Sequence, residues 1–240
     1  MFLGLLKYHL LVLFREPLNL FFGFGLPFIQ LILLSGQLRG DDSGDIVARV
    51  LPVFVIVAAM VLSFTDAALS HGYTRQIKFL RRLRMTPVKP FHYIATGIIS
   101  RIGVLFLFTA VFTTVAVGVF GSDISNKNWP LFIGVMLLMF IMFYLIGMFI
   151  ANVMRTAKTS QNLIYVVFFG MLAIGGFWFP VEAMPEILQT IVDWLPTTFA
   201  ISSLNAAWMR TDLMYGHYFI MLLASIALFG TLSIKFFKYE

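Results

Sequence analysis

Apolar positions in this 240-residue chain gather into six long blocks, at about 18–38, 50–70, 93–120, 130–153, 161–180 and 216–236. An α-helix rises 1.5 Å per residue, so roughly 20 apolar residues carry it through a hydrocarbon layer of about 30 Å. Membrane barrel strands are half that length and alternate in polarity, so the pattern predicts six spanning helices. The connecting segments leave no room for an independent soluble domain. The longest, 181–215, is itself fairly apolar and contains Pro185 and Pro196. The expected fold is therefore an all-α polytopic membrane protein, with 1–240 as a single transmembrane domain. The first block does not read as a cleaved leader, because Arg15, Glu16 and Pro17 precede it and no A-x-A site follows.

Composition agrees with the pattern. Hydrophobic residues make up 60% of the chain and charged residues 12%, whereas a soluble domain carries roughly 25% charged residues. Mean hydropathy is +0.92. There is no cysteine, which removes disulfide frameworks, cysteine metal sites and cysteine nucleophiles. The four histidines, His9, His71, His92 and His217, are scattered, fall outside metal-ligand spacing, and read as interfacial. Asn19, Gln30, Asn152, Gln161 and Asn162 read as helix–helix hydrogen-bonding residues. No Gly-Lys dipeptide occurs, so there is no phosphate-binding loop, and neither G-x-S-x-G nor H-E-x-x-H is present. Nothing marks the chain as an enzyme. If it pumps, energy comes from a partner or an ion gradient.

Charge sets the expected orientation. With six spans both termini share one side. That side holds twelve basic residues: Lys7, Arg15, Arg75, Lys78, Arg81, Arg82, Arg84, Lys89, Arg155, Lys158, Lys235 and Lys238. The other side holds four: Arg39, Arg49, Lys127 and Arg210. Cytoplasmic loops carry the excess of Lys and Arg, so both termini are expected in the cytoplasm.

The segment HGYTRQIKFLRRLRMTPVKPFHY, 71–93, has basic residues and no acid. Placed on a helix over 75–84, Ile77, Phe79, Leu80 and Leu83 fill one arc and Arg75, Lys78, Arg81 and Arg82 the opposite one. Pro87 ends that helix and pushes Thr86 towards an extended conformation. Two readings stand side by side: an anchor on anionic lipid headgroups, or a docking element for a cytoplasmic partner. Nucleic acid fits poorly, since the patch is short and lacks a recognition fold.

In the fifth block Gly175 and Gly176 weaken the helix and Pro180 ends it. After it, Met184, Ile187, Leu188, Ile191, Val192 and Leu195 follow helical spacing behind Pro185, over a stretch too short to span. This reads as a re-entrant or interfacial helix on the outer side. Interrupted segments of this kind can mark a transport route or form an interfacial cap with Trp178 and Trp194 as belt aromatics. Within the spans, Asp66 and Arg101 lie at similar depth. An ion pair between them is one reading, and separate snorkelling to the interface is the other.

Three stretches resemble a known family. The opening LLKYHLLVLFREPLNLFFGFGLPFIQLILLSG contains an R-[DE]-P turn at Arg15, Glu16 and Pro17 and a Leu-Pro at Leu26 and Pro27. RQIKFLRRLRMTPVKPFHYIATG is similar to a segment R-E-x-G-T-L-x-R-L-x-x-T-P-V. GFWFPVEAMPEILQTIVDWLPTTFAISSL is similar to a block G-x-x-F-P-x-x-x-M-P…L-P-x-x-[YF]-A. Together they resemble the membrane subunits of type-2 ABC exporters. The resemblance implies six transmembrane helices with an N-terminal interfacial helix over 1–17. It implies a cytoplasmic coupling loop at 71–92 and short outer-leaflet helices within an extracellular re-entrant segment, 181–215. It places ATPase coupling on Arg75, Gln76, Ile77, Lys78, Phe79, Leu80, Arg81, Arg82, Leu83 and Thr86. The outer gate or route falls on Gly175, Gly176, Phe177, Trp178, Pro180, Met184, Pro185 and Pro196. Gln76 stands where Glu is common in that pattern, Lys78 where Gly is common, and Phe79 where Thr is common.

The function so implied is that of a permease subunit of an ATP-driven exporter in a bacterial inner or plasma membrane. ATP and Mg would sit on a separate P-loop ATPase, present in two copies. A second permease, identical or related, would complete the assembly among membrane lipids. The cargo would be lipophilic or amphipathic: an antibiotic, a peptide or a lipid-like molecule. Two other classes compete: a gradient-driven carrier or channel, disfavoured by the lack of a midplane carboxylate relay, and a toxin-immunity protein that moves nothing.

Overall fold

The computed structural model describes residues 2–14, 21–37, 43–76, 78, 85, 90–154, 156–175, 184–209 and 216–237. Among these, every regular element is helical. In chain order they are α1 (Phe2–Phe14), a π-helical turn (Phe21–Gly25) running into α2 (Leu26–Gln37), and α3 (Ser43–Met60). A second π turn (Val61–Thr65) joins α3 to α4 (Asp66–Gln76). Then come α5 (Pro90–Phe120), α6 (Trp129–Val153), α7 (Ala157–Ile174), α8 (Glu186–Val192), α9 (Pro196–Met209) and α10 (His217–Lys235).

Four of these stretches are long and apolar enough to cross a membrane: Gly44–Thr74, Phe91–Phe120, Trp129–Val153 and His217–Lys235. The expected second span is longer than its apolar block. Hydropathy registers only the central part, while the polar ends Ser43–Arg49 and Ser70–Gln76 continue the same helix. The third begins at Pro90, whose missing N–H costs nothing in a first helical turn. The expected fifth span is described as α7, which stops at Ile174 with Gly175 as its cap.

Local chemistry explains several boundaries. The Asn128 side chain accepts from the Leu131 N–H at 3.4 Å and starts α6. Thr156 does the same for α7, accepting from the Thr159 N–H at 3.1 Å. Gly121 follows α5 at φ +64, a left-handed conformation that glycine adopts without a Cβ penalty.

The stretch 44–74 and α6 form the centre. In their most apolar windows 78% and 61% of residues are buried, against 33% for 91–120 and 11% for α10. The latter two therefore keep wide apolar faces outward, towards lipid. Helix α6 packs on α10, α9, α4 and the second π turn, while α1 lies against α5. One continuous core runs through Leu51, Phe54, Phe64, Phe108, Phe112, Met139, Phe140 and Phe143.

One sequence expectation changes here. A continuous helix over 75–84 is broken, because α4 ends at Gln76 and Lys78 takes φ 56. A left-handed residue cannot continue a right-handed helix. Residues 79–84 lie outside the described residues.

Candidate functional site

The bundle has two ends with different chemistry. At the end carrying α1, the last turns of α4 and α6 and the start of α5, polar side chains are buried between helices. Arg101, 0% exposed, donates from Nε to Oδ2 of the equally buried Asp66. Its Nη1 donates to the Gly97 carbonyl at 3.0 Å and its Nη2 to the Ser70 hydroxyl at 2.9 Å. The Tyr144 ring lies 5.7 Å from the guanidinium carbon. Gly97 permits this arrangement, since a Cβ there would overlap the Tyr144 hydroxyl. Of the two readings of Asp66 and Arg101, the geometry is that of a pair rather than of two side chains snorkelling apart. Pairing with an opposite charge, with the remaining guanidinium donors on Gly97 and Ser70, is how ionised groups tolerate a dry interior; Asp66 Oδ1 is buried with no hydrogen-bond partner among the described residues.

One turn further, His71 Nε2 donates to Asn152 Oδ1 at 2.9 Å, and Asn152 Nδ2 donates to the Ser233 carbonyl at 3.3 Å. These bonds join α4, α6 and α10. The His71 ring also lies 5.7 Å from Tyr93 and 5.4 Å from Phe237. Helix α1 is attached through a Tyr8 Oη–Thr74 Oγ1 hydrogen bond of 3.0 Å and a His9–Tyr93 ring contact at 4.9 Å. Burial, and then the charge of Arg101, pushes the His9 imidazole down to about 3. The reading of all four histidines as interfacial is thus corrected for His9 and His71, which are buried, while His92 and His217 are exposed. Asn152 makes the interhelical bonds that its type suggests.

The opposite end is aromatic. The Trp208 indole N–H donates to the Ala48 carbonyl at 2.8 Å, and its ring packs on Trp129 at 5.1 Å and Phe132 at 4.8 Å. Lys127 Nζ lies 5.6 Å from the centre of the Trp208 ring. The Ser122 hydroxyl donates to the Gly44 carbonyl at 2.8 Å. In the same loop, the Ser125 hydroxyl and N–H both donate to Asp123 and hold its carboxyl below the usual range. Tyr218 donates to Asp193 at 3.3 Å, tying the turn after α8 to the start of α10.

The coupling candidates fall between α4 and α5. Arg75 and Gln76 close α4, and Lys78 is exposed in its left-handed turn. Ile77, Phe79, Leu80, Arg81, Arg82, Leu83 and Thr86 lie outside the described residues. Of the gate candidates, Gly175 caps α7, Met184 accepts a bond from the Gln189 side chain at 2.8 Å, Pro185 caps α8 and Pro196 opens α9. Gly176, Phe177, Trp178 and Pro180 lie outside the described residues. Helix α8 shows three faces: Leu188 and Val192 towards the protein, Glu186, Thr190 and Asp193 polar and exposed, and Ile187, Ile191 and Trp194 apolar and exposed.

The sequence reading did not single out Ser70, Gly97, Tyr144 or Trp208 as contact residues. Ser70 and Gly97 carried a signal: each lies four residues from a charged residue in a span, on the same helix face. Tyr144 and Trp208 carried none, being two aromatics among many.

Residues 2–209 match the ABC-2 type transporter family. The chain belongs to that family. It is also 30% identical over 122 residues to a protein of Bacillus subtilis (strain 168) named "Putative transport permease YvfS". That match covers 48% of this chain and 46% of the relative, so the chain spans about half the length of the curated relative it matches. As an ABC-2 family member with several apolar helices, the chain is a membrane protein. The loop between α4 and α5 is bordered by the two helices that Asp66 and Arg101 join.

Proposed function

We propose that this chain is the membrane-spanning subunit of an ATP-driven exporter, with six spans and both termini in the cytoplasm of a bacterial plasma membrane. It forms one domain over 1–240, in which 1–17 is an interfacial helix, 71–92 a coupling loop and 181–215 an outer re-entrant segment. Two copies of a P-loop ATPase, carrying ATP and Mg, dock under two permease subunits, identical or related. Docking falls on Arg75 to Thr86, with Arg81 and Arg82 as the charged contacts. Closure of the ATPases pushes this loop, and the outer segment from Gly175 to Pro196 opens to release the cargo. The cargo is lipophilic or amphipathic: an antibiotic, a peptide or a lipid-like molecule.

The observation that carries this reading is the family match over 2–209. The buried pair beside the loop supports it. Force on a loop moves a bundle only if the flanking helices move together, and Asp66–Arg101 joins those helices. The test is the double change Arg81→Glu/Arg82→Glu in the complex purified with its ATPase. Membrane insertion should persist while cargo-stimulated ATP hydrolysis disappears. Normal stimulation in that variant would refute docking at this loop. ATP-independent uptake driven by a proton or sodium gradient would instead identify a carrier.

A further inference from the structure

Stretch 43–76 is continuous, yet it changes pitch halfway. At Val61–Thr65 the helix widens to a π turn, in which the Asp66 N–H reaches the Val61 carbonyl five residues back as well as that of Ser63. All five residues of the turn are buried. Widening a turn disturbs carbonyls that an α-helix would satisfy, and the hydroxyls of Ser63 and Thr65 bond back to the carbonyls of Ala59 and Val61. The turn is seated between two glycines. A Cβ at Gly147 of α6 would overlap the Phe64 carbonyl, and one at Gly23, inside the first π turn, would stand 3.5 Å from Val61 Cγ1. Two π turns and a close approach of α6 therefore meet at one level of the bundle.

Ties between helices are polar on both sides of that level and absent across it. Towards one end, Asp66 and Ser70 are bonded to Arg101, His71 is bonded to Asn152 of α6, and Thr74 is bonded to Tyr8 of α1. Towards the other end, the Gly44 and Ala48 carbonyls hold Ser122 and Trp208. Among the described residues, no side-chain hydrogen bond links 61–65 to another helix; the turn meets its neighbours by packing alone. Rigid blocks joined by a locally rewound segment are the architecture of a hinge, and π turns are frequent at functional sites.

We infer that the π turn at 61–65 is a hinge. The unit made of α1, α4, the start of α5 as far as Arg101 and the ends of α6 and α10 around Asn152 and Ser233, held together by Asp66–Arg101 and His71–Asn152, tilts as one body against the half anchored at Trp208. The inference concerns the chain itself and stands whichever energy source drives transport.

The absence of cysteine gives a clean background for paired labels. Spin labels at Arg49→Cys and Tyr73→Cys, both exposed positions, bracket the turn at about 36 Å for a straight helix. Labels at Tyr73→Cys and Ile99→Cys lie within the clamped unit. In lipid nanodiscs, the distance distribution for 49–73 should be about twice as wide as for 73–99, and resolved into two populations. Deleting Ser63, which returns the π turn to α register, should collapse it to one. Equal widths for the two pairs in the otherwise unchanged chain would overturn the hinge, whether or not the deletion inserts. A distribution unchanged in an inserted deletion variant would overturn it as well.

Discussion

The two ends of the bundle solve the same packing problem with different forces. Around Arg101 and His71 the helices are joined by directional bonds between ionised or polar groups that water does not reach. Around Trp208 they are joined by ring contacts and by two hydrogen bonds to backbone carbonyls, Trp208 to Ala48 and Ser122 to Gly44. In lipid, burying apolar surface between helices gains little, because lipid tails are as apolar as the side chains they replace. Polar bonds therefore fix which helix faces which, and in what register, while aromatic packing fills volume. The specified end is the one that borders the loop proposed for ATPase docking. Under that proposal, it is where a force is handed from one helix to the next.

The largest expected effect breaks the polar end. Arg101→Leu leaves a buried carboxylate without its partner and should cost about 3–5 kcal/mol, read as loss of folded protein in a detergent melt. Replacing both partners, Asp66→Leu with Arg101→Met, should restore folding close to the starting level. If the double variant melts as low as the single one, the pair is not what holds these helices. At the aromatic end, Trp208→Ala should cost about 3 kcal/mol through the void it leaves. Trp208→Phe, which keeps a ring and loses the bond to Ala48, should cost about 1 kcal/mol. The ratio of those two losses measures how far packing outweighs hydrogen bonding there.

Acid should loosen only the polar end. His9 stays neutral in the folded protein because its imidazole is pushed down to about 3, against an ordinary value of 6.5. A detached α1 takes up a proton below that ordinary value and the docked one does not. Stability of the docked helix is thus full above pH 6.5 and falls by about 1.4 kcal/mol per pH unit beneath it. Amide exchange over residues 2–14 should rise between pH 7 and pH 5, and His9→Phe should remove the dependence. Exchange that is flat with pH in the parent chain would place His9 in a solvated site. The smallest effect is at Lys78, whose φ of 56 strains an L-residue. Lys78→Gly should stabilise the fold by about 0.5 kcal/mol, after the extra freedom glycine has when unfolded.

Much of this was legible in the sequence because it follows from period and length. The long apolar blocks mark the helices, and Gly175, read as a weak point, caps α7; Pro90 and Asn128 start their helices without having been singled out. The Asp66–Arg101 geometry was half legible: similar depth made a pair conceivable, but only packing brings Ser70 and Gly97 to the same guanidinium. The π turn at 61–65 was not legible. A single extra residue in a helical turn leaves the apolar pattern of VLSFT intact, and the tight contact beside it comes from a distant part of the chain, Gly147, where a Cβ would overlap the Phe64 carbonyl. The break at Lys78 was missed because amphipathic spacing over 75–84 is compatible with helix, while backbone conformation at one residue leaves no periodic trace. Lys78 standing where Gly is common in the resembling family was the signal that could have found it.

We propose that this ABC-2 family member works as one part of an ATP-driven machine whose motor docks beneath the clamped helices. The most direct measurement is purification of the chain from its native membranes in mild detergent, with mass spectrometry of what accompanies it. The account predicts a P-loop ATPase in near-equal amount, displaced when Arg81 and Arg82 are both changed to Glu. An intact, folded preparation that carries no ATPase would contradict it.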